Sequence, residues 1–271
     1  MATNPIQFVE TKYGRLAYRI DGSGGDVPLV LLQRFRGTID DWDPAFIASL
    51  TSSRRVIRFD SAGVGRSDGR TPESVSEMAE IAHAFLKATN INKADLLGWS
   101  MGGFIGQHVA LDAPQIVRRL IIAGSGPGGV PEGPQAHPKA FEIATKPQNE
   151  DSDFLFLFFT DSESGRAAGK ANVERIKAVA NKGPAVTVES FMRQGKALAT
   201  WAGVRPRLGE LKLPILVANG VSDVMVPAYG SYVISQEAPN AKLVLYPDAG
   251  HGFLFQYIND FAGEIERFLS A

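Results

Sequence analysis

The sequence predicts an α/β protein in which helices cover both faces of one mostly parallel sheet. Short apolar runs alternate with amphipathic stretches over residues 1–125, and strands separated by helices usually pair in parallel. The alternation stops over 126–205 and then resumes. We therefore predict a sheet domain, formed by 1–125 and 206–271, that is interrupted by a helical insertion at 126–205.

The elements before the insertion follow from apolar runs between turn residues. Gln7–Thr11 and Arg15–Ile20 indicate a β-hairpin. Two helices are predicted to begin at a capping residue followed by proline, Asp43-Pro44 and Thr71-Pro72. A third helix is predicted from Met101, and the further strands are Leu29–Gln33, Arg55–Asp60, Ala94–Gly98 and Arg118–Ala123.

The insertion shows helix-like stretches and no clear strand. Its apolar run Phe154–Phe159 is interpreted as a buried packing face or as a wall over a ligand pocket, and one helix can do both. Strands return at Pro214–Asn219 and Lys242–Tyr246, and a last helix is predicted to end near Leu269.

Composition excludes several classes of function. Lys and Arg number 28 against 29 Asp and Glu, a net charge of −1 that argues against nucleic acid as a main partner. The absence of Cys excludes disulfides, thiolate metal sites and a cysteine nucleophile. The first residues show neither the basic segment nor the apolar segment that is typical of a secretory leader. No apolar run approaches the roughly 18 residues of a membrane span. We expect a cytoplasmic protein without a membrane partner.

The pattern G-x-S-x-G occurs twice. Gly98–Gly102 places Ser100 directly after an apolar strand and before a helix, whereas Gly65–Gly69 places Ser67 in a polar loop. A sharp strand-to-helix turn lifts the serine Oγ above the sheet, and glycines let the backbone bend that tightly. Ser100 is therefore the candidate nucleophile.

A serine nucleophile needs a general base at neutral pH, and the chain has four histidines. His83 and His108 lie on predicted helices and His137 in a Pro-rich loop, where we expect surface or structural roles. His251 follows the strand Lys242–Tyr246 at its carboxyl end, the edge where open α/β sheets place their chemistry. His251 is therefore the predicted base.

The base in turn needs a carboxylate that holds its tautomer. Asp223 lies just past the strand Pro214–Asn219, again at a carboxyl end. Asp248 is only three residues from His251, and such a spacing within one turn rarely gives the required geometry. We therefore favour Asp223 over Asp248.

The chain order Ser100, Asp223, His251 resembles that of the α/β-hydrolase fold family. Asp60–Ser67 and the turn Asp248–His251 are also similar to that family's loops, and the resemblance covers essentially the whole chain. It implies a doubly wound sheet of roughly eight strands, a catalytic triad of these three residues, and a helical cap at 126–205.

One loop departs from the family's pattern. Members usually carry His-Gly after the third strand, where a backbone N–H completes the oxyanion hole; here the sequence reads Gln33-Arg34-Phe35-Arg36-Gly37. The resemblance implies Phe35 and Met101 as the N–H donors. If the loop is extended, Arg34 and Arg36 point together to the pocket or to water. The predicted pocket residues are Arg34, Trp99, Phe154 and Phe158.

Two other motifs suggest cofactors. Gly124–Gly129 matches G-x-G-x-x-G after a strand, but a dinucleotide site needs a helix that opens on the glycines, and Val130–Pro134 cannot start one. Asp40, Asp41 and Asp43 could suggest a metal, yet Asp43 suits an N-cap and no histidine accompanies them. We expect no metal and no other cofactor.

These observations predict a cofactor-independent serine hydrolase that cleaves an ester, a lactone or a related small acyl compound through an acyl-enzyme. The elbow sequence is also similar to that of cofactor-free haloperoxidases. Perhydrolase chemistry and carbon–carbon bond hydrolysis or lysis therefore remain alternatives on the same triad. The alternative from a different functional class is a ligand receptor that retains the triad. Whether the chain forms a homo-oligomer is left open by the sequence.

Overall fold

The computed structural model describes residues 4–271. Residues 1–3, the start of the segment in which we expect no leader, lie outside the described residues. Eight strands form one sheet in the order β1-β2-β4-β3-β5-β6-β7-β8. β1 pairs antiparallel with β2 and β2 with β4, and the other pairs are parallel. The strands are β1 Gln7–Thr11, β2 Gly14–Asp21, β3 Leu29–Leu32, β4 Val56–Phe59, β5 Ala94–Trp99, β6 Val117–Ala123, β7 Ile215–Gly220 and β8 Ala241–Tyr246.

Helices cover both faces, as predicted. They are α1 Pro44–Thr51, α2 Val75–Ala88, α3 Met101–Asp112, α4 Pro138–Ala144, α5 Asp151–Phe158, α6 Glu163–Lys177, α7 Val188–Ala199, α8 Ala228–Glu237, α9 Phe253–Gln256 and α10 Ile258–Ser270. Short 3-10 helices span Ile39–Asp41 and Arg205–Glu210.

The apolar core has two layers, one on each face of the sheet. Alternate residues of β3 point to opposite faces, so Val30 packs with α2, α3 and α8 whereas Leu31 packs with α1 and α10. The parallel strands β3, β5 and β7 are buried along their whole length, because helices cover both of their faces.

Two helix starts were predicted from capping signals, and one of them is wrong. Asp43 caps α1 as predicted, since its side chain accepts the Ala45 N–H at 2.8 Å. The second helix begins at Val75 with Ser74 as its cap, not at Thr71-Pro72. The Thr71 hydroxyl is buried and donates to the Ala62 carbonyl at 3.1 Å, whereas the Ser74 side chain accepts the Glu77 N–H and caps the helix.

The segment between β6 and β7 contains the four helices α4–α7, which we call the inserted helices. No described residue of 126–205 lies in a strand, as predicted. The division of the chain into a core and a cap stays a prediction. Across residues 4–271, none of the helices combines the length and the apolar character that a membrane crossing requires.

Candidate active site

Ser100 sits between the end of β5 and the start of α3 in a strained backbone conformation, with φ 57° and ψ −121°. The glycines on either side are required by close backbone contacts. A Cβ on Gly98 would lie 2.1 Å from the Gly102 carbonyl oxygen, and one on Gly102 would lie 2.0 Å from that of Leu32. The G-x-S-x-G pattern at Ser100 therefore reflects a tight turn that side chains would prevent.

His251 follows β8 and is fully buried. Its Nδ1 lies 2.7 Å from Asp223 Oδ2, and its buried Nε2 has no hydrogen-bond partner among residues 4–271. The other Asp223 oxygen accepts the backbone N–H groups of Met225 and Val226 at 2.8 and 2.9 Å. One oxygen of Asp223 thus fixes its own loop while the other orients the imidazole, leaving Nε2 free to exchange a proton.

Asp248 and Ser67, the sequence alternatives to Asp223 and Ser100, form hydrogen bonds with other residues. Asp248 is exposed and accepts hydrogen bonds from the hydroxyls of Thr160, Ser162 and Ser164, which hold the pKa of its carboxyl below the usual range. Ser67 Oγ donates to the Asp60 carbonyl at 2.7 Å and accepts the Ala17 N–H at 2.9 Å. Neither residue contacts Ser100 or His251.

The loop Gln33–Gly37, which we call the oxyanion loop, is a tight turn rather than an extended segment. The Gly37 N–H donates to the Arg34 carbonyl at 3.1 Å, and Arg36 has a φ of 57°. The expectation of an extended loop was therefore wrong, because a turn hydrogen bond forms between residues three apart. Within residues 4–271, neither the Phe35 nor the Met101 N–H donates to a protein acceptor.

Gln33 closes this loop, a role that sequence analysis missed. Its Oε1 accepts the Arg34 N–H and its Nε2 donates to the Thr38 carbonyl, both at 2.8 Å. A Cβ on Gly37 would lie 2.4 Å from the Gln33 side chain, so the loop needs glycine there. The signal available in the sequence was the long amide side chain of Gln33, which stands where the family usually has histidine.

Both arginines of the loop turn toward the same side despite the turn. The Arg34 guanidinium lies 5.4–5.7 Å from the ring centres of Trp99, Phe154 and Phe158, and burial lowers its pKa. The Arg36 guanidinium lies 4.4 Å from the Phe191 ring centre and donates to the carbonyls of Ala144, the last residue of α4, and of Lys146 and Pro147 after it.

Two cavities meet at Ser100. The first, which we call the cationic cavity, has a volume of about 470 Å³ and is lined by Ser100, His251, Phe154 and Phe158 with three basic side chains: Arg34, Arg36 and Lys182. The second, the apolar cavity, has about 520 Å³; Ser100 also lines it, with a wall that includes Met101, Phe104, Val130, Leu198, Trp201 and Val226. Phe35, Ala144 and Met225 line both.

Trp99 was expected in the pocket wall but lies beneath it. The side chain is fully buried, packs on Phe158 and Phe255, and donates from Nε1 to the His251 carbonyl at 3.1 Å. The residue directly before the elbow serine points into the face opposite the helix that follows it, so this indole supports the His251 turn from below.

The remaining histidines lie outside both cavities. His83 is half-buried on α2. His108 accepts the Trp201 Nε1–H at 3.0 Å, and burial lowers its pKa. His137 caps α4 by accepting the Lys139 N–H at 3.2 Å.

The two cofactor motifs have structural roles. No helix opens on Gly124–Gly129, since α4 begins at Pro138. Within this loop, the Ser125 hydroxyl donates to the Ser100 carbonyl at 2.9 Å and so supports the elbow. Of the three aspartates, Asp43 accepts from the side chains of Asn172 and Arg175 in addition to capping α1.

Comparisons with known proteins agree with this architecture. The model of the alpha/beta hydrolase fold matches residues 27–256. A pimeloyl-[acyl-carrier protein] methyl ester esterase from Serratia marcescens is 30% identical, over 91% of this chain and 95% of its own. An alpha/beta hydrolase fold protein from Chitinophaga pinensis has a TM-score of 0.90 and 35% identity over 100% of this chain and 98% of its own. A hydrolase from Pseudomonas aeruginosa has a TM-score of 0.78 and 28% identity over 98% of both chains. The chain is a hydrolase and belongs to the α/β hydrolase fold family.

Proposed function

We propose that this enzyme cleaves small-molecule esters, lactones among them, through an acyl-enzyme on Ser100 and without a cofactor. The observation that carries the proposal is the buried contact of 2.7 Å between His251 Nδ1 and Asp223 Oδ2, with the free Nε2 beside the cavity that Ser100 lines. A serine hydrolase needs this arrangement of nucleophile, base and orienting carboxylate. The relative named as a methyl ester esterase supports ester hydrolysis as the reaction.

The reaction proceeds in two steps, formation of the acyl-enzyme and its hydrolysis. Ser100 Oγ bonds to the carbonyl carbon while its proton passes to His251 Nε2; the bond to the leaving oxygen then breaks, and that oxygen takes the proton from Nε2. Water repeats the sequence on the acyl-enzyme, which releases the acid and restores the Ser100 hydroxyl. Asp223 stabilises the imidazolium in both steps.

The negative charge on the carbonyl oxygen needs donors during each step. The N–H groups of Phe35 and Met101 are available, because neither is used within residues 4–271. Met101 is the first residue of α3, where the helix leaves its N–H groups without internal acceptors. Donors held in place before the reaction stabilise the oxyanion without rearranging.

The test combines turnover with covalent labelling. We expect steady-state hydrolysis of 4-nitrophenyl butanoate, and a fluorophosphonate probe should label Ser100 alone. Ser67 is the internal control, since it occupies the same sequence pattern in another loop. Labelling of Ser67, or retained labelling in Ser100→Ala, would contradict the assignment of the nucleophile. A single burst without turnover would favour the ligand receptor.

A further inference from the structure

The two cavities at Ser100 differ in charge. No charged side chain lies among the described residues that line the apolar cavity, and the rings of Phe104 and Trp201, whose centres lie 4.2 Å apart, form part of its wall. The cationic cavity holds Arg34, Arg36 and Lys182. A substrate that spans Ser100 therefore meets two different environments.

The carboxylates of the cationic cavity are already engaged. Asp40 accepts from the Arg66 guanidinium at 2.5 Å and from the Gly183 N–H at 2.8 Å. Asp41 accepts from the Thr38 N–H and hydroxyl at 2.8 and 2.9 Å. Among the described residues, neither acid forms an ion pair with Arg34, Arg36 or Lys182, although the Asp41 carboxylate is near enough to Arg34 to act against the lowering of its pKa by burial.

Arg34 has donors to spare. Its Nη1 donates to the Phe35 carbonyl at 2.8 Å, whereas its buried Nε has no partner in the described part of the chain. The three aromatic rings around it hold the guanidinium plane beside the cavity. A guanidinium with free N–H groups in a partly dry site suits an anionic oxygen.

The position of His251 distinguishes the two ends of the substrate. His251 lines the cationic cavity and does not line the apolar one, whereas Met101, a proposed oxyanion donor, lines the apolar cavity. The imidazolium must reach the leaving oxygen to protonate it. The leaving group therefore lies on the side of Arg34, and the acyl chain lies in the apolar cavity.

We infer that the substrate joins an apolar acyl chain to a leaving alcohol or phenol that bears an anionic group, and that Arg34 recognises this anion. The inference rests on the proposed function and adds the orientation and chemical class of the substrate. Carboxylate and phosphate share the chemistry that a guanidinium binds.

The test compares esters that differ only in charge. 4-Nitro-3-(octanoyloxy)benzoic acid carries a carboxylate on the leaving phenol, and the corresponding benzamide is its neutral match. Each ratio of kcat/KM is divided by the ratio of the rates with hydroxide, which removes differences in intrinsic reactivity. We expect the wild type to prefer the anionic ester by about tenfold, the scale of one charge-assisted hydrogen bond.

Arg34→Gln should bring this ratio to about one, and Arg34→Lys should retain part of it. Because the ratio is taken within each variant, general damage to the oxyanion loop cancels. Arg166→Gln is the matched control, since it removes an exposed arginine that pairs with Asp161 and lines neither cavity. The control should keep the wild-type ratio.

A second pair of esters tests the orientation. 4-Nitrophenyl hydrogen suberate moves the carboxylate to the acyl end, and we expect it to react about tenfold more slowly than 4-nitrophenyl octanoate. A preference for the suberate ester would overturn the orientation. A wild-type ratio of one, or an unchanged ratio in Arg34→Gln, would overturn the role of Arg34. Failure of every ester together with no labelling of Ser100 would instead contradict the proposed function, and this inference with it.

Discussion

The strand ends that carry Ser100 and Asp223 are held mainly by backbone groups near the sheet, whereas the oxyanion loop, apart from its own turn hydrogen bond, is held by side chains. The Ser100 N–H donates to the Ala123 carbonyl at 2.9 Å, and two backbone N–H groups fix Asp223. In the loop, the Arg36 N–H donates to Gln194 Oε1 of α7 at 3.0 Å, and the Arg36 guanidinium donates to three carbonyls at the C-terminal end of α4 and just after it.

This difference separates two functions. A contact between neighbouring strand ends positions the proposed nucleophile, since the Ser100 N–H donates to the Ala123 carbonyl. The turn of the proposed base also contacts the inserted helices, because the Gly252 N–H donates to the Phe158 carbonyl at 2.7 Å. The proposed oxyanion donor Phe35 lies next to Arg36, so its position depends on the inserted helices. Movement of those helices would change the oxyanion loop and the cationic cavity together while leaving the elbow in place.

The largest effect is expected from Ser100→Ala. Loss of the nucleophile removes the acyl-enzyme route, so kcat should fall at least about 10⁴-fold while circular dichroism stays unchanged. Ser67→Ala loses two hydrogen bonds of a structural loop and should lower the Tm but keep kcat within about threefold. A Ser100→Ala enzyme with near-normal kcat would contradict the assignment of Ser100 as the nucleophile.

The next effect separates the two candidate acids. Asp223→Asn should lower kcat by about 10³-fold, because the amide no longer holds the required His251 tautomer. Asp248→Asn should change kcat by less than about threefold, since its carboxylate contacts only hydroxyls at the surface. Steady-state rates at matched Tm measure the ranking, and the reverse order would refute it.

A smaller effect should sharpen the comparison at the oxyanion loop. Arg36→Gln loses the contacts to the α4 segment, and we expect about a tenfold fall in kcat with little change in KM, because a displaced Phe35 N–H weakens oxyanion binding. Arg193→Gln is the control: Arg193 also joins α7 to the core, through Glu73, but it does not touch the loop. Equal losses of kcat in both variants would show that only general docking of the inserted helices matters.

The last effect is on stability rather than on turnover, and it concerns the buried carboxyl of Asp60. Asp60 accepts the N–H groups of Ile39 and Arg66 at 2.7 and 3.0 Å, and burial raises its pKa from the ordinary 3.8 to about 6. The folded state thus keeps a proton that the unfolded state has released, so this carboxyl costs stability as the pH rises from 4 to 7. The variant Asp60→Asn does not titrate.

The difference in unfolding free energy between Asp60→Asn and the wild type should therefore shift in favour of the variant by about 2–3 kcal/mol between pH 4 and pH 7. Urea unfolding at the two pH values measures this shift. A difference that is independent of pH would show that Asp60 titrates normally.

Local sequence patterns alone predicted the strands of the sheet and the three candidate residues at their ends. Continuous apolar runs predict parallel strands because both of their faces are buried, and each strand end lies within one residue of the prediction. The helix α8 was not predicted as an element, since its buried face includes the small polar Ser231, which donates to the Ser125 carbonyl. The candidates Ser100, Asp223 and His251 follow from their places after strands, because parallel strands end at one edge of the sheet.

Only the tertiary structure decided what surrounds these residues. Arg36 meets Gln194 from 158 positions away, and Trp99 reaches the His251 carbonyl from 152 positions away. No periodicity within one segment carries information about such pairs, because the sequence pattern records which face of an element is apolar and not which element covers that face. The turn of the oxyanion loop, the buried position of Trp99 and the two unlike cavities at Ser100 all depend on contacts of this kind.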